Sequence, residues 1–163
     1  MDRAHSPIYN LLEQAACIAR RSKEAAGETE PTESYKRGQT EELIKFANDN
    51  GLWIDLSHFN ITYMDRGGEN EVFHDGNVSV VKLNNFEYAG DDLENFFIRI
   101  TAHNKFFSNV PYQMIGFAYN SLQEFCAVLV QPYILAEREA TENEIAAYIC
   151  LLYTSPSPRD MRR

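Results

Sequence analysis

A three-residue turn between two strand-like segments limits the folds that are open to this chain. The turn Asp75-Gly76-Asn77 has hairpin chemistry, because these residue types accept the backbone angles of tight turns. Residues 71–74 before the turn and 78–83 after it are strand-like, and the second segment is rich in valine. We therefore expect an antiparallel sheet around this hairpin.

Further helix and strand patterns surround the hairpin, and Thr141 with Glu144 has the spacing of a capping box that opens a last helix. In chain order the other predicted segments are a helix at 8–26, a polar linker at 27–39, a helix from Thr40 as N-cap, a strand at 61–64, a helix at 91–107, and strands at 112–120 and 125–134. The predicted architecture is α+β, an antiparallel sheet of about five strands packed on one helix and preceded by helical segments.

The end of the chain differs in kind from the rest. Residues 150–160 read CLLYTSPSPRD, which is residue for residue the translation of a transposase-type sequencing adapter. We therefore divide the chain into 1–38, a helix and polar linker, 39–149, the sheet domain, and 150–163, an adapter-derived artefact that we do not expect to pack on the domain. The alternative is a natural tail rich in proline and serine.

Composition excludes several classes of function. The net charge of −9 argues against sequence-independent nucleic-acid binding, which needs a surplus of Lys and Arg. No apolar run approaches the ~18 residues of a membrane span. The cysteines Cys17, Cys126 and Cys150 are widely spaced, so we predict no metal site and expect reduced thiols in a cytoplasm.

Lys82 closes the second strand of the hairpin. Alternation places Val78, Val80 and Lys82 on one face of that strand. A lysine buried on such a face needs an anionic partner, whereas one at a strand end can extend to water. The pair Gly67-Gly68 can bring backbone N–H groups close to an anion, or it can serve only as a turn.

The glycine turn, the hairpin and the lysine together resemble the N-terminal lobe of protein kinases, whose motifs read G-x-G-x-x-G-x-V and V-A-I-K. Aligned on Val72, the chain keeps the middle glycine as Gly67, with Asp65 and Asn70 at the outer positions, and Val80-Val81-Lys82 matches the lysine strand. The wider pattern RGGENEVF…VVKLNNFEYA…HNKFF…YQMIGF…FCAVLVQPYI resembles the kinase-like domains of polyvalent proteins of phages and mobile elements, over roughly residues 41–149.

The resemblance implies ATP as the ligand. The residues that it assigns to nucleotide binding are Gly67, Gly68, Asn70 and Val72 in the flap, Val80 and Lys82 on the lysine strand, and Gln131 and Tyr133 in the hinge, with Val130 guarding the pocket. Catalytic roles fall on Lys82 and, as its helix partner, Glu94. Because Asp91 stands three residues earlier, Glu94 also fits a capping box. His103 and Asn104, late in the same helix, are interpreted as capping or packing residues.

In kinases the catalytic base and the Mg²⁺ ligands follow the hinge, and this sequence contains neither H-R-D nor D-F-G. The resemblance therefore implies the ATP-binding half of a phosphotransferase, inactive as this fragment, with Mg²⁺ ligands only in a missing lobe. The intact parent would transfer the γ-phosphoryl group to a protein hydroxyl. The alternatives are a catalytically dead interaction module and a small adaptor domain in which Lys82 is structural. We predict no nucleic-acid or membrane partner.

Overall fold

The computed structural model describes residues 7–27, 33–76, 78–134 and 137–154. The chain forms two compact units, one ending at Tyr133 and one beginning at Ile134. Within the described residues, no helix is long and apolar enough to cross a membrane.

The first unit contains three α-helices and a five-stranded antiparallel sheet with the strand order β1-β2-β3-β5-β4. In chain order the elements are α1 (Pro7–Ala26), α2 (Glu33–Asn50), β1 (Thr62–Arg66), β2 (Asn70–His74), β3 (Ser79–Asn84), α3 (Glu94–Phe106), β4 (Gln113–Tyr119) and β5 (Phe125–Pro132). The predicted α+β fold, with its antiparallel sheet of about five strands, is confirmed.

The main core lies between the helices and one face of the sheet, which we call the inner face. Ala127 and Leu129 of β5 are fully buried there in a cluster with residues of α1, α2 and α3. Lys82 of β3 pairs with Leu129, and Val72 of β2 pairs with Lys82, so these side chains share the inner face. Aromatic side chains pack together in this core, and the ring centres of Phe86 and Phe96 lie 4.7 Å apart.

The N-terminal helices differ from their prediction in two respects. The segment predicted as a linker is already helical from Glu33, and Thr40 lies inside α2, where its hydroxyl donates to the Lys36 carbonyl. Residues of both α1 and α2 join the core with Phe117 of β4, so the sheet packs on three helices rather than on one. Gln39 lies in the segment predicted as a linker and is polar, yet it is fully buried inside α2. Tertiary contacts therefore override the local pattern of this segment.

A segment of extended chain follows α2 and covers the edge of the sheet at β4. The amide of Ile54 donates to the Phe117 carbonyl over 2.8 Å, and the amide of Phe117 donates to the Leu52 carbonyl over 2.9 Å. The approach depends on Gly116, because a Cβ atom there would lie 2.4 Å from the Leu52 carbonyl oxygen. This contact satisfies part of an edge that would otherwise be open to pairing with another chain.

The described residues of the second unit form one helix, α4 (Glu142–Thr154). The predicted capping box is confirmed, because Thr141 and Glu144 exchange hydrogen bonds of 2.9 and 3.2 Å. A hydrogen bond from Arg138 lowers the pKa of the Glu144 carboxyl to about 2. The segment predicted to be adapter-derived begins inside α4, and residues 155–163 lie outside the described residues.

Candidate functional site

Lys82 projects from β3 onto the inner face, as the alternation predicts, and is half-buried there. Its ammonium group donates to the hydroxyl of Tyr112 over 3.0 Å and lies 5.0 Å from the centre of the Tyr112 ring. The observed partner of Lys82 is therefore a neutral phenol and not a carboxylate.

Glu94 is the first residue of α3, and its carboxylate lies 3.6 Å from the ammonium of Lys23 on α1. At the start of α3, the carboxylate of Asp92 accepts a hydrogen bond from the backbone amide of Glu94 over 2.9 Å. The structure does not bring Lys82 and Glu94 together. The cation beside Glu94 is Lys23, and the hydrogen-bond partner of Lys82 is Tyr112.

A polar cluster around the buried side chain of Gln39 holds the start of α3 against α1 and α2. The side-chain nitrogen Nε2 of Gln39 donates to Asp92 over 2.8 Å and to the Ala19 carbonyl over 3.1 Å. The side-chain oxygen Oε1 of Gln39 accepts from the backbone amide of Leu93 over 2.7 Å. The ammonium of Lys23 lies 2.8 Å from the second oxygen of Asp92. This cluster connects α3, which begins with Glu94, to α1 and α2.

The charge of Asp92 is stabilised by these bonds. Burial alone would raise the pKa of Asp92, but the hydrogen bonds from Gln39 and Lys23 outweigh it and hold the pKa below its ordinary 3.8. The hydrogen bond between Lys23 and Asp92 also raises the pKa of Lys23 above its ordinary 10.5.

We expect Asp92 to contribute to the acid unfolding of the domain. Since the pKa of Asp92 is lowered by folding, its contribution is present above about pH 4 and is lost as the pH falls through the folded value. Asp92→Asn should therefore be less stable than the wild type at pH 7, by an amount that shrinks as the pH falls toward 2. Chemical unfolding at several pH values measures this. A constant difference across that range would contradict it, and Asp91→Asn, at an exposed neighbour, serves as the control.

The glycine turn between β1 and β2 is bound to the rest of the lobe through Glu69. The Glu69 carboxylate is only 8% exposed and forms two contacts with Arg99 of α3, at 2.6 and 3.1 Å. The side chain of Asn84, at the end of β3, donates to the same carboxylate over 2.6 Å. Glu69 and Arg99 were not predicted from sequence, because no local pattern joins residues that lie so far apart in the chain.

Two of the predicted flap residues, Gly67 and Gly68, lie in this turn, and a third, Asn70, is the first residue of β2. The amide of Gly67 donates to the carbonyl of Asn70 over 2.9 Å, so it is used inside the turn. The hydroxyl of Tyr88 lies against Gly68, where it would stand 2.6 Å from an added Cβ. The side chain of Asn70 accepts from Asn84 over 3.1 Å. In this conformation the turn makes its bonds to the protein itself.

The apolar residues predicted to surround adenine lie on the inner face. Val80 of β3 is buried and pairs with Gln131 of β5, while Val72 stands opposite Lys82 on β2. Val130, which was predicted to guard the pocket, packs instead with Val81 on the opposite face, because neighbouring strand residues alternate. Gln131 takes the inner position.

Tyr133, the second predicted hinge residue, follows β5. Its backbone amide donates to the Val78 carbonyl over 2.7 Å. Its ring stands edge-on to His74, with ring centres 4.7 Å apart. The N–H group that the resemblance assigns to adenine is therefore used within the sheet in this conformation.

A second polar network fixes the segment that carries Tyr112. Asn104 donates to the Tyr112 carbonyl over 2.9 Å and accepts from the Tyr112 amide over 2.7 Å. The Val110 carbonyl lies 3.0 Å from Nε2 of His103. It also accepts a hydrogen bond from the side-chain amide of Gln131 over 3.1 Å. The rings of His103 and Tyr112 are centred 4.5 Å apart. The packing interpretation of His103 and Asn104 thus acquires a definite partner, Tyr112.

The sequence matches a known protein family over most of its length. A family described as "Serine/Threonine/Tyrosine Kinase found in polyvalent proteins" matches residues 36–153, which is well over half of the chain. The chain belongs to this kinase family. The predicted resemblance is confirmed, and the match runs past Cys150, where the predicted adapter-derived segment begins. Neither a curated protein nor a solved structure matches this kinase-like chain.

Among the described residues of this kinase-like chain, Cys17, Cys126 and Cys150 form no disulfide. Burial raises the pKa of Cys126 to about 12, which makes its thiol unreactive. Among the described residues, no group of three or more His, Cys, Asp or Glu side chains could hold a metal ion.

Proposed function

We propose that this domain is the ATP-binding half of a protein kinase-like phosphotransferase and that ATP lies along the inner face at Lys82. The observation that carries the proposal is the register of β2, β3 and β5. It aligns Val72, Val80 and Lys82 on the face toward α3, in a chain that belongs to a kinase family.

The charge balance around Lys82 supports an anionic ligand. The Lys82 residue is half-buried, and no carboxylate lies within ion-pair distance of its ammonium among the described residues. A desolvated cation without an anion is costly, and a polyphosphate would remove that cost. Val72, which stands opposite Lys82 on β2 and is half-buried, offers apolar surface for a base. Lys82 would then neutralise phosphate charge and position the nucleotide, which are the main contributions of the protein to phosphoryl transfer.

The described residues offer no comparable set for Mg²⁺, and the sequence has neither of the kinase motifs that supply the base and the metal ligands. We therefore assign this chain the binding of ATP and no chemical step. The protein hydroxyl acceptor belongs to the intact kinase, and the lack of a disulfide among the described cysteines is consistent with the cytoplasm that we propose for it.

A second candidate is a catalytically dead interaction module that keeps the kinase shape. Two observations favour it: the ion pair between Glu69 and Arg99 connects the glycine turn to α3, and the Tyr133 amide is already bonded to the Val78 carbonyl. A small adaptor domain with a structural Lys82 would be compatible with the same Tyr112 contact. ATP binding that depends on Lys82 separates the kinase proposal from both.

We expect ATP to shift backbone NMR resonances near Val72, Val80 and Lys82 when it is titrated into the chain to millimolar concentration. Lys82→Met should weaken binding at least tenfold, because a charge-assisted bond to phosphate is worth about 1.5–3 kcal/mol. Lys105→Met, which removes an exposed lysine from α3, is the matched control. Equal affinity of the Lys82 variant and the wild type would refute the assignment, and no response to ATP would favour the interaction module.

The chain alone should transfer no phosphoryl group from labelled ATP to itself or to a general protein acceptor. The reason is that neither an H-R-D nor a D-F-G motif is present in the sequence. Incubation with Mg²⁺ and γ-labelled ATP measures this. Turnover that disappears in Lys82→Met would show that this chain supplies the base and the metal ligands from residues outside those two motifs.

A further inference from the structure

We infer that Tyr112 is the residue that positions the Lys82 ammonium for nucleotide, and that Asn104 and His103 hold Tyr112 in place for this purpose. The inference rests on the proposed ATP site. It moves the positioning role away from Glu94, to which the kinase resemblance assigned it.

Two contacts with the Tyr112 side chain hold the Lys82 amine. The Tyr112 hydroxyl accepts one of its protons over 3.0 Å, and the ring centre lies 5.0 Å away, within range of a cation–π contact. A phenol orients the amine without neutralising it, whereas a carboxylate would form an ion pair. The full positive charge of Lys82 is thus kept for phosphate.

Tyr112 is itself held at its backbone. Asn104 bonds both the N–H and the C=O of this one residue, which fixes the orientation of the peptide groups on either side. His103 packs on the ring, and β4 begins at the next residue, Gln113. The last turn of α3 thereby sets where the Lys82 ammonium lies.

Glu94 is poorly placed for the same task. It opens α3, ten residues before Asn104, and a helix rises about 1.5 Å per residue, so the two are separated by about 15 Å along the axis. Its carboxylate already lies beside Lys23. To reach Lys82, α3 would have to leave both Lys23 and the Gln39 cluster.

The test compares Tyr112→Phe, which removes only the hydroxyl, with Glu94→Gln. NMR of the Lys82 side-chain Nζ and Cε resonances reports the contact without any ligand, and ATP titration reports its use. Tyr112→Phe should shift the Lys82 signals and weaken ATP binding about three- to tenfold, with a nearly unchanged melting temperature. Asn104→Ala should shift the same signals, while Glu94→Gln should leave both readouts at wild-type values.

The outcomes separate this inference from the proposed function. Unchanged Lys82 signals in Tyr112→Phe would overturn the inference whatever ATP does, and so would a loss of ATP binding in Glu94→Gln as large as that in Lys82→Met. Shifted Lys82 signals with ATP binding that is indifferent to Lys82→Met would overturn the ATP site, and with it the role in nucleotide binding.

Discussion

Gly116→Ala should destabilise the domain by about 3 kcal/mol, at the upper end of what overpacking costs. A Cβ at this position would stand 2.4 Å from the Leu52 carbonyl oxygen and 2.7 Å from Cγ1 of Ile54. The nearest atom belongs to the backbone, so a change of rotamer cannot relieve the contact. The covering segment would have to leave β4 and lose its hydrogen bonds to Phe117.

Urea unfolding measures this effect, and Gly67→Ala is the matched control. Gly67 lies in an exposed turn, with nothing within 4 Å of an added Cβ and no left-handed backbone angle. Its replacement should change the unfolding free energy by no more than about 0.5 kcal/mol. If the two variants proved equally stable, the close approach of Leu52 to β4 would be wrong.

Gln39→Leu should cost about 3 kcal/mol, although leucine fills a similar volume. The change removes a donor from Asp92 and leaves the Leu93 amide and the Ala19 carbonyl without their bonds to Gln39, and each buried unsatisfied group costs about 1–3 kcal/mol. Gln39 is fully buried, so water cannot readily replace the lost bonds.

The control for this change lies two residues earlier on the same helix. Arg37 forms an exposed pair with Glu41, at 3.4 Å, and such pairs are worth about 0–1 kcal/mol. Arg37→Ala should therefore shift the unfolding midpoint little. A loss in Gln39→Leu no larger than that in Arg37→Ala would mean that the cluster does not hold α3 in solution.

The sheet could be predicted because its signals are local. The turn at residues 75–77 and the alternation along β3 place Lys82 and Val80 on one face without knowledge of the rest of the chain. The capping box at Thr141 is local in the same sense. The family resemblance also rests on short motifs within single strands and turns.

The contacts that define the candidate site could not be predicted, because they join distant parts of the chain. Gln39 and Asp92 are 53 residues apart, and Glu69 and Arg99 are 30 apart. The partner of Lys82 was likewise set by tertiary packing, which brings Tyr112 rather than Glu94 beside it. Alternation along β5 contains the signal that separates Val130 from Gln131, but only the register against β3 shows which of the two faces the helices.

The cluster at Gln39 also has a consequence during synthesis of the chain. The residues that bury Gln39 emerge from the ribosome 53 residues later, which at about 5–20 residues per second is a delay of roughly 3–10 s. The helices α1 and α2 can pair earlier, yet their apolar side chains Leu11 and Leu43 wait for α3 and the later strands. During this interval the nascent helix pair exposes an apolar face, so its period of greatest exposure to aggregation and chaperones precedes the completion of the sheet.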